Sequence, residues 1–193
     1  MKKIYILLFI FFVKNYANAQ YTITSASNPT VGDIELVYNC DTTGIKPGPT
    51  GTGQVWNYTL LSFQTGTAAT QTSSYLATSA APCGSLVANA NIAKTDDQGV
   101  SYSLMGYTNT GMTGYAYCNN SITIIFTNPQ NLINYPFTYG MASSDTYSGT
   151  GAQGTVAVVL NGTVSVTADA AGSINLPPGK TFFNGIEILR LYA

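Results

Sequence analysis

The segment TGIKPGPTGTGQVWNYTLLSF, Thr43 to Phe63, decides how the rest of the chain is read. Glycines at 44, 48, 51 and 53 and prolines at 47 and 49 crowd the approach to Trp56, the single tryptophan. A loop of this kind either cradles a phosphate or bends the chain into a strand. The phosphate form needs a lysine directly after its last glycine and a helix behind it, so that backbone N–H groups and the helix terminus converge on the anion. Here Gln54 follows Gly53, Lys46 lies upstream, and VWNYTLLSF has the β-branched and aromatic make-up of a strand. The segment therefore reads as a turn delivering a strand over 54–63, with Trp56, Tyr58 and Leu60 on its buried side.

The same punctuation recurs along the chain. Short runs rich in Val, Ile, Thr and Tyr (20–26, 33–38, 73–77, 85–94, 99–108, 114–118, 121–127) are separated by Gly, Pro, Asn and Asp, and no window has a helical period. TGTAATQTSSYLATSAAP reads as an edge or a long loop. TDDQGVSYS suggests a loop around Asp97 to Gly99, and Asn161-Gly162 between two β-branched runs predicts a two-residue hairpin turn. That turn would pair Val159 with Val164 and Ala157 with Val166 on a core face. The fold class expected is all-β, an antiparallel β-sandwich of jelly-roll or immunoglobulin-like kind, with no more helix than a short turn.

Composition points the same way. Charged residues make up 8% of the chain, far below the roughly 25% of ordinary soluble domains, and Thr, Ser, Asn, Gly and 14 tyrosines stand in their place. Residues 1–19 read as a signal peptide: Lys2 and Lys3, an apolar run Ile4–Val13 too short to span a bilayer, and Ala17-Asn18-Ala19 before Gln20. Residues 20–193 then form a single domain. Setting aside Lys2, Lys3 and Lys14 leaves four basic residues against eight acidic ones, a net charge of −4. With no basic patch, nucleic acid is a poor partner, and no membrane insertion is expected after signal cleavage. The expected location is secreted, extracellular or at the cell surface, or periplasmic if no further export signal exists.

Three cysteines, Cys40, Cys83 and Cys118, enter an oxidising space and allow at most one internal disulfide. Cys83 with Cys118 is the expected pair, leaving Cys40 buried; connectivity is not fixed by sequence, so the other pairings and the reduced state stay open. No cysteine spacing suits zinc, and the TDDQG acids lack the spacing of a calcium loop, so neither metal nor cofactor is expected.

Two further segments carry a resemblance. DTTGIKPGPTGTGQVWNYTLLS and ADAAGSINLPPGKTFFNGIEILRL resemble the N-terminal region of secreted Bacteroidota proteins that bear a type IX secretion sorting domain at their C-terminus. Asp41, Gly44, Pro47, Gly48, Gly53, Gln54, Trp56 and Leu61 match the first pattern; Gly172, Leu176, Pro177, Gly179, Leu189 and Arg190 match the second. The resemblance implies an all-β, surface-exposed or released module of unassigned activity. It also implies a continuation into a sorting domain that this chain, stopping at Ala193, does not carry, so either the reading frame is cut short or the last export step differs.

The absence of histidine removes Ser-His-Asp and Cys-His nucleophile systems. Paired carboxylates could still run glycoside hydrolysis. Asp33 and Glu35 share a strand face, whereas Asp96-Asp97 has the look of turn chemistry, and Lys94 and Lys180 adjoin turns where a solvated lysine is expected. Arg190, alone among apolar neighbours, is expected to pair with a carboxylate or carbonyls at a sheet end. Tyr115 and Tyr117, two apart, would face one way from a strand and stack on sugar rings. The functional expectation is thus a non-catalytic adhesion, structural or accessory-binding module whose partners are glycans or other surface proteins. Carbohydrate binding through Tyr115 and Tyr117 is the alternative, and a fibre or coat subunit pairing through open edge strands a second one.

Overall fold

The computed structural model describes residues 21–41, 48–63, 70–96, 99–177 and 186–192. The signal-like residues 1–19, Lys46, Asp97 and Lys180, and Gly44, Pro47 and Gly179 of the two resemblance segments, lie outside them. The described residues form an all-β, sandwich-like fold. Its strands are β1 (Thr22–Ile23), β2 (Ile34–Tyr38), β3 (Cys40–Asp41), β4 (Gly51–Asn57), β5 (Ser62–Phe63), β6 (Thr70–Leu76), β7 (Ile92–Thr95), β8 (Ser101–Tyr107), β9 (Gly111–Asn119), β10 (Ile122–Asn134), β11 (Phe137–Thr138), β12 (Ala142–Gln153), β13 (Val156–Asn175) and β14 (Ile186–Tyr192). Among the described residues, helical structure is limited to three short 3-10 turns, at Ser25–Ser27, Thr78–Ala80 and Gly84–Leu86.

One ten-stranded sheet dominates, in the order β2, β6, β7, β8, β9, β10, β12, β13, β14, with β4 added beside β13. Neighbours along this path are antiparallel, and β7–β8, β8–β9, β9–β10 and β12–β13 are joined by short hairpin connections. Among the described strands, only β4 runs parallel to its partner. The stretch around 70–76 is thus an interior strand, between β2 and β7, and not the edge or long loop its small polar residues suggest. Two small pairs, β1 with β11 and β3 with β5, lie outside the main sheet.

Two apolar clusters bury the sheet faces. On one, the segment between β6 and β7 folds back as a cap, placing Ala81, Cys83 and Val87 on Ala93, Leu104, Ala116 and Cys118. A disulfide joins Cys83 in the cap to Cys118 in β9, across Cα atoms 6.2 Å apart. Cys40 lies in β3, and its side chain is outside the described set. On the other face, Ile133, Phe137, Val166 and Ala168 collect Ile23, Met112, Tyr135 and Val164. The N-terminal segment is tied there by Tyr135 Oη, which donates to Asn28 Oδ1 at 2.6 Å.

Asn161-Gly162 is not a turn. β13 runs straight through it, and the hairpin connection is Gly154-Thr155, where Gly154 has a φ of +59° and Gln153 pairs with Val156. Gly154 supplies the positive φ that a two-residue turn demands, so the reversal happens before the Asn-Gly pair is reached. Gly162 serves packing instead: it faces Tyr147 across the ladder, and a Cβ there would lie 2.5 Å from the Tyr147 ring. Because the strand is continuous, Val159 and Val164 fall on opposite faces. Val164 and Val166 reach the core, while Val159 is 71% exposed.

The opening segment behaves as a turn into a strand, with a different end. Gly51 and Gly53, with φ of +104° and +66°, lie in the first half of β4 itself, and no helix occurs among the described residues of this region. β4 stops at Asn57, whose Oδ1 accepts from Thr59 N at 3.2 Å and closes a turn, leaving Leu60 94% exposed. Trp56 is buried as expected, at 4% exposure; Leu60 does not join it.

Candidate functional site

Pairing register places one row of side chains across seven strands on the face away from the cap. Tyr75 opposes Lys94, Lys94 opposes Ser103, Ser103 opposes Tyr117, Tyr117 opposes Ile124, Ile124 opposes Gly151, and Gly151 opposes Val158. Directly paired residues of an antiparallel ladder project from the same face. The row begins polar and aromatic and turns apolar at β10.

At its polar end sits a half-buried trio. Lys94 Nζ meets Glu35 Oε2 at 2.5 Å, Tyr75 Oη donates to the same oxygen at 3.0 Å, and the ammonium stands 5.4 Å from the centre of the Tyr75 ring. The Lys94 hydrogen bond holds the Glu35 carboxyl below its ordinary range. Burial first, then the bond to Glu35, pushes the Tyr75 hydroxyl up to about 12, and burial does the same to Tyr107. Lys94 is thus a strut joining β7 to β2, not the solvated turn lysine expected. The signal was in the chain: in IAKT, Ala93 and Thr95 alternate with Lys94, which puts the lysine on the opposite face from two buried neighbours. Asp33 does not join Glu35; its Oδ2 accepts from Thr30 N at 2.7 Å and closes a turn.

Tyr115 and Tyr117 do not form one platform. Leu104 pairs with Ala116 but Met105 with Gly114, so Tyr115 is the extra residue of a β-bulge. The bulge turns its ring under the cap side: Tyr115 packs against the Cys83–Cys118 cluster, and a Cβ on Gly106 would lie 2.5 Å from the ring. Tyr117 projects from the other face. Its Oη donates to Ser101 Oγ at 3.2 Å and accepts from Asn119 Nδ2 at 3.4 Å.

A second polar centre lies where β4, β13 and β14 meet. Arg190 donates from Nε and Nη2 to both carboxylate oxygens of Asp169, at 2.8 and 2.9 Å, and from Nη1 to the Gly48 carbonyl. Its guanidinium stands 6.0 Å from the Trp56 ring centre, within cation–π reach. Gly48 rests against the same indole, leaving only 1.8 Å between its would-be Cβ and Trp56 Cδ1. Arg190 therefore binds a carboxylate and a carbonyl at a sheet end, as expected, and this centre has a packing role.

Two further acids, Asp145 and Asp96, close local structure as well. Asp145 Oδ2 accepts from Asn131 N at 2.8 Å and Asp96 Oδ1 from Val100 N at 3.2 Å, the latter fixing the β7–β8 loop expected near Gly99. No grouping of three His, Cys, Asp or Glu side chains fit for a metal occurs among the described residues, and none of their helices is long and apolar enough to cross a membrane.

These features define a class: an all-β, sandwich-like module with a disulfide-stapled cap on one face and a polar, tyrosine-bearing row on the other. Comparison with protein families, with curated proteins and with solved structures finds no match to this chain.

Proposed function

We propose that the chain is an exported, non-catalytic β-sandwich module acting outside the cell or at its surface in adhesion, structural packing or accessory binding. One observation carries this reading. Every charged side chain whose position is described, namely Asp33, Glu35, Lys94, Asp96, Asp145, Asp169 and Arg190, is bound to a neighbouring strand or turn as a structural tie. The disulfide suits an oxidising compartment, and the signal-like residues 1–19 supply a route to one. The resemblance to sorting-domain proteins of Bacteroidota adds a surface or released destination.

The test combines location and chemistry. Expressed from its full sequence, the protein should lose its first 19 residues and be recovered outside the cytoplasm, by mass spectrometry of fractions. Purified protein should leave glycan and peptide panels uncut. Hydrolysis that disappears with one Asp or Glu substitution overturns the reading.

A second reading, a fibre or coat subunit, is favoured by β2. This strand ends the main sheet, and Ile34, Leu36 and Val37 are exposed on it at 68, 49 and 42%. Edges of that kind invite pairing with another strand. Light scattering that shows a concentration-independent monomer counts against it.

A further inference from the structure

The geometry points to a binding site for a neutral oligosaccharide on the row Tyr75, Lys94, Ser103 and Tyr117, with Glu35 at its end. The inference rests on the accessory-binding reading and gives it a place and a ligand class.

Sugar hydroxyls both donate and accept, and the row offers each complement. Glu35 accepts, Lys94 donates, Ser103 does either, and the partly exposed Tyr117 side chain offers an aromatic ring to sugar C–H groups. The ion pair leaves little net charge, so the row favours neither anions nor cations. The single carboxylate is also too few for a metal.

The groups are held in advance. Two hydrogen bonds at Oη, from Asn119 and to Ser101, fix the half-buried Tyr117 ring against the sheet. Tyr75 is fixed by Glu35, and Lys94 by Glu35 and the Tyr75 ring. Ligand binding then immobilises few side chains, which is where surface sites usually lose affinity.

The dimensions fit a chain more than a single ring. From β6 to β9 is three inter-strand steps, about 14 Å at ~4.8 Å per step. Beyond Tyr117 the row becomes Ile124, Gly151 and Val158, and at the other end the sheet stops at β2, so the polar stretch is bounded on both sides. Tyr115 belongs to the opposite face and takes no part.

The experiment is calorimetric titration of the purified, disulfide-intact protein with cellohexaose, xylohexaose, laminarihexaose and mannohexaose, with chromatography of the sugar afterwards. At least one hexasaccharide should bind. Tyr117→Ala should weaken it about tenfold, as loss of one aromatic contact does, and Lys94→Gln should weaken it too. Val159→Ser on the exposed opposite face should not. Thermal melting of each variant identifies any that fail to fold; if Tyr117→Ala is one, Ser103→Val takes its place with the same expected loss. Absence of binding to all four sugars, or binding unchanged in folded Tyr117→Ala and Lys94→Gln, overturns the site while leaving the non-catalytic reading intact. Cleavage of a hexasaccharide overturns the non-catalytic reading instead, and the variants still report whether the row holds the sugar.

Discussion

Asp169 and Arg190 meet across a bulge: β13 pairs Ala168 with Leu191 and Ala170 with Arg190, which leaves Asp169 unopposed and free to turn both carboxylate oxygens to the guanidinium. The same arginine bonds Gly48 and stands over Trp56, so one side chain joins β14, β13 and the approach to β4. Arg190→Lys keeps the charge but loses the two-pronged geometry and the planar contact with the indole. It should cost about 1.5–3 kcal/mol, the range for a hydrogen bond to a charged group. Asp169→Asn should cost a similar amount, and the double variant less than the sum, in urea unfolding of all four proteins.

The glycines of the long strands separate two kinds of close approach. At Gly172 a Cβ would fall 1.9 Å from the Gln54 carbonyl oxygen and 2.7 Å from Gln54 C and N, where β4 runs beside β13; all three obstacles are backbone and none can swing away. Gly172→Ala should therefore cost about 3 kcal/mol or more and detach β4. At Gly162 the obstacle is the outer part of the half-buried Tyr147 ring, which can move, so Gly162→Ala should cost about 1 kcal/mol. Removing the ring with Tyr147→Ser should abolish most of that smaller penalty. A larger loss at Gly162 than at Gly172 contradicts this ranking.

These positions also show how far the chain could be read before folding. Trp56 as a core residue, the β7–β8 loop at Gly99 and the lack of long helix follow from local propensity and period, and the described residues agree on all three. The Cys83–Cys118 bond was one of several open pairings, because what brings the two together is the fold-back of the cap. Asn161-Gly162 misleads because Gly154 turns the chain first, and a turn signal inside a 20-residue strand has no force once the ladder with β12 is formed. Tyr115 and Tyr117 part because a bulge breaks the two-residue alternation, and nothing in GYAYC announces one. The Glu35, Tyr75 and Lys94 trio brings together three strands from distant parts of the chain, a matter of strand order and not of spacing.

The cap should depend on its staple. Cys83 and Cys118 close a loop of 35 residues, and by chain entropy such a link is worth on the order of 3–4 kcal/mol. Cys118→Ser in the oxidised protein should lower the unfolding free energy by about that much. Hydrogen exchange should rise over the cap and over Leu104 and Ala116 beneath it, with less change at Ile133 and Phe137 in the other cluster.

Stability should fall at both ends of the pH scale, for different groups. Glu35 and Asp169 have carboxyls lowered by Lys94 and Arg190, so below their ordinary values of 4.5 and 3.8 the unfolded chain takes up protons that the native chain does not. Stability from these pairs is present above that range and is lost as pH falls through the lowered native values. Tyr75 and Tyr107 behave in the opposite sense: raised from 10.0 to about 12, they stay protonated while unfolded tyrosines ionise. Their contribution is complete below pH 10 and disappears as pH climbs to about 12. Melting temperatures should accordingly form a plateau that drops on both sides. Glu35→Gln should shallow the acid side, and Tyr107→Phe should shallow the alkaline side. Tyrosinate absorbance gives the independent check: two hydroxyls should ionise only with unfolding, and a native protein in which all tyrosines titrate together near 10 refutes the burial of this pair.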